Sequence, residues 1–270
     1  MTLTQVRQLL AEFDIRPSKA LGQNFLIDGN ILRILIEQAD LRGDETVLEI
    51  GPGLGALTVE LVARAKQVVA IEKDSRLCQY LRDHMDGVEL IEGDAVEILE
   101  QPDFRVAPPY KVVSNLPYNI STPILERLVE REDQPRAMVL TLQREVANRL
   151  AATPRHKDYG ALTVFTQLSY HVTIAHVISP GCFYPAPHVD SAVVVLERRD
   201  PRVKLLAGAP FHDIVRAGFG QRRKMLHKLL AKFGDVNTAF AAASVAATAR
   251  AEELAIDQWI TLANALRPKA

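Results

Sequence analysis

The chain has 270 residues, 48 % hydrophobic and 24 % charged, with a formal net charge of −1. That composition is globular rather than disordered or fibrous, and the length suits one large domain with a smaller companion. No apolar run approaches the roughly 18 residues of a membrane span, Glu12 and Asp14 stand where a cleavable leader would be apolar, and Cys78 and Cys182 lack the spacing of a disulfide framework or zinc site, so a cytoplasmic, metal-free protein is expected.

Residues 1–15 are polar and receive no functional assignment. From residue 46 onward, strand-like apolar runs alternate with helical ones. The first run, 46–50, leads into "GPGLGALT", with Gly51, Gly53 and Gly55 opening a helix at 55–65. Glycines there let the chain turn tightly and let a ligand approach the backbone. The second run, 67–72, ends in Glu72, placed as a ribose-binding carboxylate would be, with Lys73 beside it. The third, 87–94, ends in Asp94, whose carboxylate could accept from the exocyclic amine of a nucleoside base. The fourth, 110–116, delivers Asn115, Leu116, Pro117 and Tyr118 to the same sheet edge. A helix at 122–132 and a fifth run at 136–142 follow. This alternation predicts an α/β fold with a parallel sheet and crossover helices.

Two further strands, 172–178 and 191–197, flank "SPGCFYPAPHVD", whose three prolines predict an ordered loop. Beyond residue 201 only helical spacing remains, at 211–233 and 252–266. The expected division is therefore 1–202 and a small all-helical domain, 203–270. The near-zero net charge conceals an uneven distribution. Residues 21–140 carry −9 and residues 141–230 carry +7, which suits a polyanion-binding face beside a separate small-molecule site.

A glycine-rich turn followed by an acid is common to dinucleotide and S-adenosylmethionine sites. The Asn-Leu-Pro-Tyr stretch distinguishes them, because hydride transfer has no use for it. An exocyclic adenine nitrogen is a poor nucleophile, its lone pair being delocalised into the ring. The Asn115 side-chain oxygen and the Leu116 carbonyl could accept its two N–H groups and aim it at a sulfonium methyl. Pro117 stiffens the turn, and Tyr118 offers a ring for a splayed-out base. Positioning, with no strong base, would supply most of the rate.

Together "LGQNFLID" (21–28), "EIGPGLGALT" (49–58), "VVAIEKD" (68–74), "GDA" (93–95), "NLPYNISTPIL" (115–125), "QREVANRL" (143–150), "FYPAPHVDSAVV" (183–194) and "GFGQRRKMLHKLL" (218–230) resemble the bacterial KsgA-type small-subunit ribosomal RNA adenine dimethyltransferases. The resemblance runs collinearly from about residue 16 to 266. It implies a Rossmann-like class I S-adenosyl-L-methionine methyltransferase domain with a C-terminal helical RNA-binding domain. It also implies that Asn24, Leu26 and Gly53 touch the cofactor, that Gly51 borders its methionine end, and that Glu72 holds the ribose and Asp94 the adenine amine. Asn115 would touch both cofactor and target, and Phe183, which the residues alone give only a core role, would face Tyr118 across the base. The implied substrate is a pair of adjacent adenosines in the 3′-terminal hairpin of 16S rRNA, within the 30S subunit or its precursor, with a part in subunit biogenesis. Arg144, Arg149, Arg155, Lys157, Arg222, Arg223 and Lys224 would grip RNA phosphates. A monomer suffices for this work. A resistance-type enzyme acting on large-subunit RNA and a ribosome-assembly binder remain the alternatives.

Overall fold

The computed structural model describes residues 1–18, 21–200, 202–221 and 224–266. The chain divides into two compact units, Met1–Ala147 with His171–Arg198, and Asn148–Tyr170 with Arg199–Ala270. Residues 148–170, which a single boundary at 202/203 leaves with the first domain, group instead with the C-terminal helices. Their side chains explain this: Ala152, Tyr159, Val164 and Phe165 are buried in one apolar cluster with Phe211, Leu226 and Trp259.

The first unit begins with α1 (Leu3–Glu12), β1 (Phe25–Leu26) and α2 (Gly29–Ala39). Strands and helices then alternate: β2 (Thr46–Ile50), α3 (Thr58–Val62), β3 (Gln67–Glu72), α4 (Ser75–His84), β4 (Val88–Glu92), α5 (Ala95–Glu100), β5 (Tyr110–Asn115), α6 (Ser121–Glu130) and β6 (Ala137–Gln143). Next in chain order come α7 (Arg144–Ala151) and α8 (Ala161–Ser169), the latter in the second unit, then β7 (Tyr170–Ile178), β8 (Phe183–Tyr184) and β9 (Ser191–Arg198). Seven strands form one sheet in the order β4-β3-β2-β5-β6-β9-β7, while β1 and β8 pair separately. The five strands from β4 to β6 are parallel and β9 is antiparallel to β6.

Covering both faces of a parallel sheet buries its central strands, hence the near-continuous apolar runs. Every residue of β2 is buried, as are the first five of β5. Parallel register brings Ile50, Glu72, Glu92 and Asn115, the last residues of four strands, to one carboxyl edge. Helices restart from that edge with side-chain caps: Asp74 accepts from Arg76 N and Asp94 from Val96 N. The acids that cap helices thus stand where ligands of open α/β sheets bind.

The second unit adds α9 (Phe211–Gly220), α10 (Leu226–Leu230), α11 (Val236–Ala242) and α12 (Ile256–Ala265). Phe211, Ile214, Trp259 and Ile260 are at most 1 % exposed, and each such burial contributes about 1.5–3 kcal/mol. Tyr159 is buried among them with its hydroxyl donating to the Leu254 carbonyl at 2.8 Å. No helix among the described residues is long and apolar enough to cross a membrane.

Candidate active site

At the end of β2 the chain passes through Gly51 (φ +72°) and Gly53 (φ +60°), a backbone region that L side chains rarely adopt. Space for a side chain is tight as well. A Cβ on Gly51 would lie 3.1 Å from Pro117 Cγ, and one on Gly53 would lie 3.1 Å from Phe25 Cε1. The glycine loop is therefore wedged between the Asn-Leu-Pro-Tyr turn and the N-terminal segment.

Glu72, 7 % exposed, organises that loop. Its Oε2 accepts from Gly53 N at 3.1 Å, and its Oε1 accepts from Lys73 N and Asp74 N at 2.8 and 2.9 Å. Burial raises its pKa against the pull of these backbone donors. Asp94 has the opposite shift. Its Oδ2 accepts from Lys73 Nζ at 2.6 Å, and that hydrogen bond, ahead of every other influence, holds the carboxyl below its usual range. Asp94 is thus held as an acceptor-only carboxylate, able to accept from a nucleoside amine.

Asn115 is partly buried at the end of β5. Its Nδ2 donates to the Asn24 carbonyl at 3.0 Å, which fixes the amide, and its Oδ1 is buried with no hydrogen-bond partner. Leaving a buried acceptor unpaired costs about 1–3 kcal/mol, so this oxygen marks the position of a missing donor.

Asn24, Leu26, Gly51, Gly53, Glu72, Lys73, Asp94 and Asn115 all line one cleft, together with Leu116 and Pro117. The cofactor set expected from the sequence is therefore gathered in one place. Tyr118 and Phe183 lie beyond the cleft lining but next to each other, with ring centroids 6.3 Å apart and planes at 76°. This edge-to-face contact differs from the expected facing pair. Phe183 is 2 % exposed, because Leu26 pairs with it in the β1–β8 ladder and holds it in the core. Two rings at this angle offer no parallel-sided slot between them.

Three contributors have roles that the motifs do not reveal. The two-residue strands β1 and β8 bind the segment carrying Asn24 to the proline-rich loop, reinforced by Ile27 N donating to Cys182 O at 2.9 Å. Helix α1 packs Val6 and Leu10, with Ile15 just beyond its end, against Phe25, Leu54 and Leu77, and Met1 and Val6 reach the cleft. Glu49, 1 % exposed on β2, also lines the cleft, with burial pushing its pKa up to about 8.

The expected RNA-gripping residues are dispersed. Arg144 lies in the first unit, half exposed, with its guanidinium 3.1 Å from Asp190 Oδ2. Arg149, Arg155, Lys157 and Lys224 belong to the second unit, where Arg149 is partly buried and the other three are exposed. Arg222 and Arg223 lie outside the described residues. No group of three or more His, Cys, Asp or Glu side chains suited to a metal ion occurs among the described residues.

A largely parallel α/β sheet, a glycine turn after its first long strand, acids ending the next strand and capping the helix after the third, and an Asn-Leu-Pro-Tyr turn closing the fourth together define a class I S-adenosylmethionine-dependent methyltransferase. The cleft fits that cofactor: its glycine cradle, at positive φ, leaves little room for side chains, and Glu72 and Asp94 stand along it. The family model for ribosomal RNA adenine dimethylases matches residues 16–267, and the chain belongs to that family of enzymes.

It is 41 % identical over 266 residues to ribosomal RNA small subunit methyltransferase A of Geobacter metallireducens, covering 93 % of this chain and 96 % of the relative. Among solved structures it resembles a dimethyladenosine transferase from Plasmodium falciparum, with a TM-score of 0.73, 26 % identity, and 88 % and 95 % of the two chains covered. It also resembles the 23S rRNA methyltransferase ErmE, with a TM-score of 0.67, 29 % identity, and 90 % and 99 % covered.

Proposed function

We propose that the protein dimethylates the N6 amines of two adjacent adenosines in the 3′-terminal hairpin of 16S rRNA, within the small ribosomal subunit or its precursor. The observation that carries the reading is the buried, unpartnered Asn115 Oδ1 beside the Leu116-Pro117-Tyr118 turn. A target amine is the donor this oxygen lacks. The small-subunit substrate is supported by the Geobacter metallireducens relative, named for the small subunit and more similar in sequence than ErmE, named for 23S rRNA.

Asn115 Oδ1 and the Leu116 carbonyl orient the amine, and Tyr118 stacks the base. Glu72 holds the cofactor's ribose and, through Gly53 N, the glycine loop. Asp94 accepts the cofactor's adenine amine, sharing its carboxylate with Lys73. When bound, S-adenosylmethionine would supply an electrophilic sulfonium methyl, which the target nitrogen would take with its lone pair while the C–S pair stayed on sulfur and an N–H proton passed to water. Tyr118, whose phenol burial pushes up to about 12, stays neutral throughout and takes no proton. Residues 1–147 and 171–198 carry this chemistry, and 148–170 with 199–270 grip RNA. The protein acts as a cytoplasmic monomer and takes part in small-subunit maturation.

The test is to incubate the protein with labelled S-adenosylmethionine and under-methylated small subunits, with large subunits in parallel. Label is expected in the small-subunit RNA. Label confined to the large subunit would transfer the assignment to 23S-type methylation.

A further inference from the structure

We infer that Ser191 is a positioning residue for the second methyl transfer, acting by fixing the Tyr118 ring. The inference rests on the reading of Tyr118 as the stacking ring. Its basis is a hydrogen bond of 2.5 Å between the Tyr118 hydroxyl and Ser191 Oγ. Ser191 is fully buried at the start of β9, where it stands opposite Gln143 of β6, so its hydroxyl is held by the sheet. The other end of the tyrosine is anchored too, since the Tyr118 carbonyl accepts from Ser121 Oγ at 3.2 Å. Phe183 meets the ring edge-on and limits its tilt. Phenylalanine would stack a base equally well, so the hydroxyl serves to anchor the ring.

An unmodified adenine amine has two N–H groups, enough for both Asn115 Oδ1 and the Leu116 carbonyl. After the first transfer only one N–H remains, and one of those acceptors loses its partner. The second transfer exchanges the same bonds as the first: C–N forms, C–S breaks with its electron pair left on sulfur, and the last N–H proton goes to water. Orientation of the monomethylated amine therefore depends more heavily on the stacked ring. Loosening that ring slows the second transfer more than the first.

The experiment is a time course on under-methylated small subunits, with nucleosides separated by mass spectrometry. Ser191→Ala is expected to raise the ratio of N6-methyladenosine to N6,N6-dimethyladenosine roughly three- to tenfold, the range of a single hydrogen bond. Tyr118→Phe removes the same bond from the other side and should give the same ratio, and the double variant should add nothing further. Affinity for S-adenosylmethionine and thermal midpoint, measured alongside, should stay near wild type for Tyr118→Phe. Equal slowing of both transfers, an unchanged ratio in Tyr118→Phe, or additive effects in the double variant would overturn the inference. Tyr118→Ala separates the two readings. Full activity in that variant would remove the stacking role itself, whereas its inactivity alongside a wild-type ratio in Ser191→Ala would remove only the role of Ser191.

Discussion

Glu72, proposed to hold the cofactor's ribose, also organises the fold around it. Its position about 20 residues after the glycine turn makes a ribose-binding role legible in the sequence. Its three backbone donors are not legible there, because they depend on how the glycine loop and the β3–α4 turn converge. Glu72→Gln replaces one acceptor oxygen by a donor facing an N–H. Cofactor affinity should fall by about 10- to 100-fold, as for one charge-assisted hydrogen bond and more, with RNA affinity little changed in parallel titrations. Equal loss of both affinities would refute the assignment.

Glu49 has only a faint signal in the sequence, an acid within the apolar run "TVLEI". Burial, opposed by Thr58 and aided by the Glu72 charge, raises its pKa to about 8 from an ordinary value of 4.5. The folded state therefore holds a proton that the unfolded chain releases between about pH 4.5 and 8. Stability should decline as pH rises through that window. Glu49→Gln, which keeps the neutral shape, should show a shallower decline in thermal midpoint from pH 5 to 8 without cofactor. A slope identical to wild type would indicate that Glu49 is ionised in the folded protein.

Among the elements, the long strands are the most legible. β2 and β3 occupy the residues that their apolar runs predict, and β5, β6 and β9 differ from theirs by a residue or two at their ends. β1 and β8 are invisible because two residues carry no periodicity, and their pairing joins positions far apart in sequence. Helix α1 does have a signature: Thr2 and Gln5 form a capping box, and Val6 and Leu10 are spaced four apart. A buried ion pair at the other end of β5 is equally obscure. Lys111 Nζ lies 2.8 Å from Glu45 Oε1 and donates to the carbonyls of Ala39 and Asp40, tying the end of α2 to the sheet. Lys111→Met leaves the Glu45 charge uncompensated in the interior. Chemical denaturation should show a loss of about 3–5 kcal/mol, and a loss below about 1 kcal/mol would mean that the pair is solvated.

For the whole molecule, charge partition along the chain predicts where a polyanion would be met, since the +7 of 141–230 opposes the −9 of 21–140. Which of those cations touch phosphate is not legible from spacing, because exposed lysines and arginines look alike in sequence whether solvated or bound. Replacing Arg155 and Lys157 by Glu should weaken small-subunit binding across all substrates and reduce the salt slope by about one for each phosphate no longer gripped. An unchanged slope would return both to ordinary surface. Asn115→Ala should keep binding to immature subunits while losing transfer, because the amide lies in the cleft and the cations do not.

Dimethylation of a neighbouring pair of small-subunit adenosines at this site is tested by mapping modified nucleotides with mass spectrometry, after under-methylated small subunits have reacted with the wild-type protein or with Asn115→Ala. N6,N6-dimethyladenosine should form at two adjacent positions of the 3′-terminal hairpin with the wild-type protein and be absent with Asn115→Ala. Dimethylation at any other position, or at that pair undiminished by Asn115→Ala, would be incompatible with the proposed substrate or with the role given to Asn115.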